Sequence, residues 1–172
     1  GFETDEKAEN IRIRGGIWRL QGDAADMCAF EFSDACGITL ENTKIYAGRG
    51  AAAGFCGGSD IRLESCSFYG LPGTDDAASA GVLLGGSLCC VSLEGLYSHG
   101  CDRFIEISEN TALEQLSAKA ITSDDCLYFV YGSKAAVKSA VLHDLSGCAH
   151  IDAVYLADCT LEKLEMRGLD LY

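Results

Sequence analysis

Three successive stretches of this 172-residue chain carry the side chains best suited to acid–base chemistry. They are Asp102 in Gly100-Cys101-Asp102-Arg103, the pair Asp124-Asp125 in Ser123-Asp124-Asp125-Cys126, and His150 in Cys148-Ala149-His150-Ile151. Two carboxyl groups about 6.5–9.5 Å apart can divide the hydrolysis of a glycosidic bond, one protonating the leaving oxygen while the other activates water. Crowded carboxylates would also raise at least one pKa and so supply the proton donor. That chemistry requires the three stretches to stand side by side. It also requires a turn at Asp124-Asp125, because neighbouring side chains on a strand point to opposite faces. The plainer reading makes Asp124 and Asp125 caps of a solvated turn and His150 and His99 turn residues.

What could bring the three stretches together is a repeat. An apolar residue, one spacer, a second apolar residue, two spacers and a third begin at Ile11-Ile13-Gly16. The pattern returns at Ile38-Leu40-Thr43, Ile61-Leu63-Cys66, Val91-Leu93-Leu96, Leu116-Ala118-Ile121, Val137-Ser139-Leu142 and Leu164-Met166-Leu169. A period in the twenties signals a solenoid, whose repeats bury their apolar faces only by stacking. A second apolar run follows in each repeat: Phe30 and Phe32, Phe55, Val82-Leu83-Leu84, Phe104-Ile105-Ile107, Leu127-Phe129-Tyr131 and Val154-Leu156. These read as strands, so a leucine-rich repeat, which needs a helical segment there, fits less well. The expectation is an all-β chain, a right-handed parallel β-helix of about seven coils over residues 1–172. Ile38, Leu40, Ile61, Leu63, Val91, Leu93 and Leu116 should lie inside. Both ends lack a capping element, so the chain is expected to be a module of a longer protein, with neighbouring domains or a second copy covering the open ends.

The passages Glu9-Asn10-Ile11-Arg12-Ile13-Arg14-Gly15-Gly16, Ala35-Cys36-Gly37-Ile38-Thr39-Leu40-Glu41-Asn42 and Ser59-Asp60-Ile61-Arg62-Leu63-Glu64-Ser65-Cys66 resemble coils of the pectin-lyase-like superfamily. That group of right-handed β-helices includes pectate lyases, polygalacturonases, and phage tailspike and adhesin modules. The resemblance implies an extracellular carbohydrate-associated module, secreted or at a cell surface or virion tail, that binds and in the enzymes cleaves a polysaccharide. Polygalacturonase-like enzymes keep an Asp, an Asp-Asp-Cys and a Gly-His-Gly on three consecutive coils. By that likeness Asp102, Asp124, Asp125 and His150 are the catalytic candidates, although Ala149 and Ile151 replace the glycines. The other reading is a non-catalytic adhesin or structural rod.

Sugar sites set aromatic faces beside hydrogen-bonding groups. Trp18, Tyr46, Phe68, Tyr69 and Tyr97 fall at or just after the first strand of their coils; Trp18 and Tyr69 are the leading substrate contacts, with Arg103 beside Asp102. A lyase would instead need calcium, for which Asp75 and Asp76 are the candidate ligands, and a basic residue to take the proton, for which Arg49 is the candidate; no cofactor is otherwise expected. Ten cysteines follow the repeat rather than a Cys-x-x-Cys pattern, which suggests free thiols buried in the stack, with Cys89-Cys90 or Cys28 and Cys56 as the only candidate disulfides. A net charge of −13 repels nucleic acid, anionic membranes and polyuronates, and favours a neutral glycan. No apolar stretch is long enough for a membrane-spanning helix.

Overall fold

A computed structural model describes residues 2–4, 7–20, 27–70 and 80–172. Asp75 and Asp76, the candidate calcium ligands, lie outside them. The strands are β1 (Phe2–Thr4), β2 (Arg12–Arg14), β3 (Ile17–Arg19), β4 (Cys28–Glu41), β5 (Lys44–Gly48), β6 (Ala51–Glu64), β7 (Ser67–Gly70), β8 (Ala80–Glu94), β9 (Tyr97–His99), β10 (Arg103–Ile107), β11 (Ala112–Ser133), β12 (Ala136–Ala157) and β13 (Thr160–Leu171). Every pairing is parallel and joins a strand to the coil before or after it. The result is an all-β parallel solenoid of about six turns, with no helix among the described residues. Seven strands stack at each side and leave six intervals between them, so six turns replaces the expected seven. At about 4.8 Å per interval the stack is roughly 30 Å deep.

Each coil contributes three short stretches rather than two. The first stack aligns Ile38, Ile61, Val91, Leu116 and Ala140, and beside them Leu40, Leu63, Leu93, Ala118 and Leu142. All are buried, including the seven residues expected inside. Burying one such Leu or Ile contributes about 1.5–3 kcal/mol. Ala140 rather than Val137 stands beside Leu116, which corrects the register of the sixth coil by three residues. Val137 occupies the column of Leu88 and Leu113 at the preceding bend, and Ser139 points outward beside Gln115. The stack of second apolar runs aligns Phe32, Phe55, Leu84 and Ile107. Phe32 and Phe55 stack with ring centroids 5.4 Å apart.

Between these two lies a short stack formed by β3, β5, β7, β9, the middles of β11 and β12 and the end of β13. Its inward column changes from Ile45 and Phe68 to Ser98 and Ser123, whose buried hydroxyls bond each other at 2.8 Å.

The bend from the first stack into this short one is made by one residue in every coil: Gly15, Asn42, Ser65, Gly95, Ala120, Asp144 and Gly168. All seven have φ between 50° and 72°. Gly, Asn and Asp enter this left-handed region readily, whereas Ala and Ser do so at a cost. The next bend is tightest at Gly147, with φ 117°, where a Cβ would stand 1.9 Å from the Ser123 carbonyl oxygen. No side chain fits there. It is this bend that turns the chain past Asp125 and His150.

The cysteines form no disulfide. Only Cys66, Cys101 and Cys126 are buried, the last two on consecutive coils, whereas Cys56 and Cys89 are exposed, so the expected buried stack of thiols is not continuous; Cys36 faces Ser59 at 3.2 Å and Cys66 lies 3.7 Å from the Thr43 hydroxyl. Cys28 pairs with Ala51 and Cys56 with Ser33, so those two thiols are not register partners.

Candidate functional site

The three acidic and histidine stretches do fall on consecutive coils, at the turn that leads into the second-run stack. The Asp102 carbonyl accepts the N–H groups of Leu127 and Tyr128, and the Asp125 carbonyl accepts that of Gly100, which fixes the two coils against each other. Asp125 and His150 come together: Oδ1 of Asp125 accepts from Nε2 of His150 at 2.8 Å. Cys148 Sγ lies 3.7 Å from the same ring nitrogen and 3.8 Å from Nδ1.

Asp124 turns the other way. Its carboxylate accepts a short hydrogen bond from the Tyr97 hydroxyl on the preceding coil. Removal from water, followed by this bond, pushes the Tyr97 phenol up to about 12. The turn therefore separates the two adjacent aspartates, as the register shift between Ser123 and Cys126 requires.

The aromatic candidates part in the same manner. Tyr69 stands in an outward column with Tyr46, on which it stacks at 4.6 Å between centroids, and its ring is 6.0 Å from that of Tyr97. Arg19 places its guanidinium 4.3 Å from the Tyr46 ring centre and continues the column. Trp18 is in register with the buried Ile45 and Phe68 of the neighbouring column but is itself 41% exposed. It packs edge-on against Phe30 at 4.9 Å, and its indole N–H points to the Gly15 carbonyl at 3.4 Å.

Arg103 leads to a group of residues that the motifs did not single out. Arg103 and Glu106 on β10, Tyr128 and Tyr131 on β11, and Asp152 and Tyr155 on β12 occupy matching positions on three coils. Arg103 Nη1 bonds Glu106 Oε1 at 2.6 Å. Its guanidinium lies 4.1 Å from the Tyr131 ring centre, and Tyr131 stacks on Tyr155 at 5.4 Å with ring planes 14° apart. Tyr128 touches both tyrosines at 5.2 and 5.6 Å. Burial raises the Glu106 carboxyl pKa above its ordinary value, and the neighbouring Arg103 opposes the rise without cancelling it. Tyr155 remains 39% exposed. The signal was in the sequence: a polar or aromatic residue, two spacers and another, at 103/106, 128/131 and 152/155. It was hidden by the apolar residues between, which mark the core strand.

The cluster can hold a planar or ring-shaped polar ligand. Tyr155 offers an aromatic surface, and Arg103, Glu106 and Asp152 offer hydrogen-bonding groups beside it. No group of three or more histidine, cysteine or acidic side chains with metal-binding geometry occurs among the described residues. No protein-family model, curated protein or solved structure matches this chain.

Proposed function

We propose that the chain is an extracellular, carbohydrate-associated β-solenoid module of pectin-lyase-like type, which binds a polysaccharide without cleaving it. The observation that carries this reading is the cluster of Arg103, Glu106, Tyr128, Tyr131 and Tyr155 on three adjacent coils. Repeating sugar units lying along a repeating surface would meet it at more than one place. The net charge of −13 favours a neutral chain over a polyuronate.

Cleavage is the weaker reading because Asp125–His150 belongs to a set. Lys134–Glu109, Lys138–Glu114 and His143–Glu165 join neighbouring coils in the same manner, at 2.9, 2.8 and 3.2 Å. A coil-to-coil link accounts for the pair without any substrate. That set also supports the second reading, a rod that binds nothing.

The test is titration with neutral and acidic polysaccharides, read by calorimetry and by release of reducing ends and unsaturated uronides. A neutral glycan should bind, and Tyr155→Ala should weaken it by about three- to tenfold, the worth of one aromatic face. Release of product that stops in Asp102→Asn, Asp125→Asn or His150→Ala would restore the hydrolase reading. Absence of both binding and product would leave the rod.

A further inference from the structure

The adjacent thiols of Cys89 and Cys90 stand outside the cluster described above. We propose that Cys89, Cys90 and Gln115 form a binding site for a thiophilic d10 cation of the zinc and cadmium class. Leu88 and Val91 are both buried, so the two residues between them bend outward together instead of alternating. Cys89 is exposed and Cys90 half-buried, and their sulfurs lie 3.6 Å apart. Gln115 is in register with Cys90 on the next coil, and its Oε1 is 3.6 Å from the Cys90 sulfur.

These two distances are those of a small tetrahedral site. With metal–sulfur and metal–oxygen bonds of about 2.3 and 2.1 Å, the tetrahedral edges are about 3.8 Å between sulfurs and about 3.6 Å from sulfur to oxygen. The Cys89–Cys90 and Cys90–Gln115 separations therefore match two edges of such a site, and solvent would supply the fourth donor. The alternative use of the pair, a disulfide, is strained. Adjacent Cα atoms across a trans peptide are about 3.8 Å apart, short of the roughly 4.4 Å minimum that an ordinary disulfide spans. On binding, each sulfur gives its proton to solvent and forms a bond to the cation; no electron is transferred.

Titrating the reduced protein with cadmium ion alone tests the site, read by sulfur-to-cadmium charge-transfer absorption and by proton release. One equivalent should bind in the wild type. Cys89→Ser and Cys90→Ser should each weaken it by at least about tenfold, Gln115→Leu by less, and Cys148→Ser not at all. Absence of the band in the wild type, its survival in both the Cys89 and Cys90 variants, or its loss in Cys148→Ser would overturn the proposal. Should the serine variants fail to fold, the wild type still decides. A trivalent organoarsenical that bridges dithiols should be mapped by mass to the peptide holding Cys89 and Cys90, and an adduct elsewhere counts against the site.

Discussion

Cys101 shows how much a single buried thiol can set the pH range of this fold. It is 1% exposed, and burial first, then the negative charge of Cys126 and Asp102, pushes its pKa from 9.0 up to about 12. A folded value above the unfolded one means that the thiol's contribution is complete below pH 9 and is lost as the pH rises toward 12. Unfolding in urea at increasing pH should therefore show stability falling between pH 9 and 11, by up to about 1.4 kcal/mol per pH unit from this group. In Cys101→Ala the decline should be shallower. An equally steep decline in that variant would place its origin in other groups. Below pH 9 the wild type should show no such slope from Cys101.

At the scale of elements, the bends decide which side chains meet. Ala120 adopts φ 54° in a column otherwise filled mostly by Gly, Asn and Asp. An L-residue with a Cβ costs about 1–2 kcal/mol there, while the extra freedom of unfolded glycine costs about 0.5–1 kcal/mol. Ala120→Gly should thus stabilise the protein by about 0.5–1 kcal/mol, seen as a higher thermal midpoint; a lower midpoint would refute the strain argument. The strands themselves were legible, because Ile38-x-Leu40 and Ile61-x-Leu63 alternate with polar residues and Phe30-x-Phe32 does so again. Less legible was the short middle stack, whose strands β7 and β9 run only four and three residues. The sixth coil misled because Val137 imitates the strand apolar position that small Ala140 fills. The proximity of Asp125 and His150 could be read from their shared place in the repeat, but the outward turn of Asp124 toward Tyr97 could not. That depends on a register shift which the amino-acid types do not mark.

Across the whole molecule, each coil is stabilised by its neighbours and has no separate core. Leu93 is 1% exposed and lies between Leu63 and Ala118 in the central column. Leu93→Asp would bury an unpaired carboxylate at the middle of the stack, a penalty of several kcal/mol against a typical total of about 5–15 kcal/mol. The expected outcome is loss of the β-sheet circular dichroism signal over the whole chain, because coils on either side lose a face together. A soluble variant with an unchanged spectrum and midpoint would show that the coils are more independent than the continuous columns imply.

The seven left-handed bend residues carry a consequence for how such a chain can change length. Successive ones are 23 to 30 residues apart, yet each coil passes the bend through one residue. That corner behaves as a fixed mark against which the coils are counted, and every surplus residue is taken up elsewhere. The longest step, from Ser65 to Gly95, contains residues 71–79. The steps between corners can differ in length without renumbering the columns, whereas a single residue added between Glu94 and Leu96 would turn the following strand inside out.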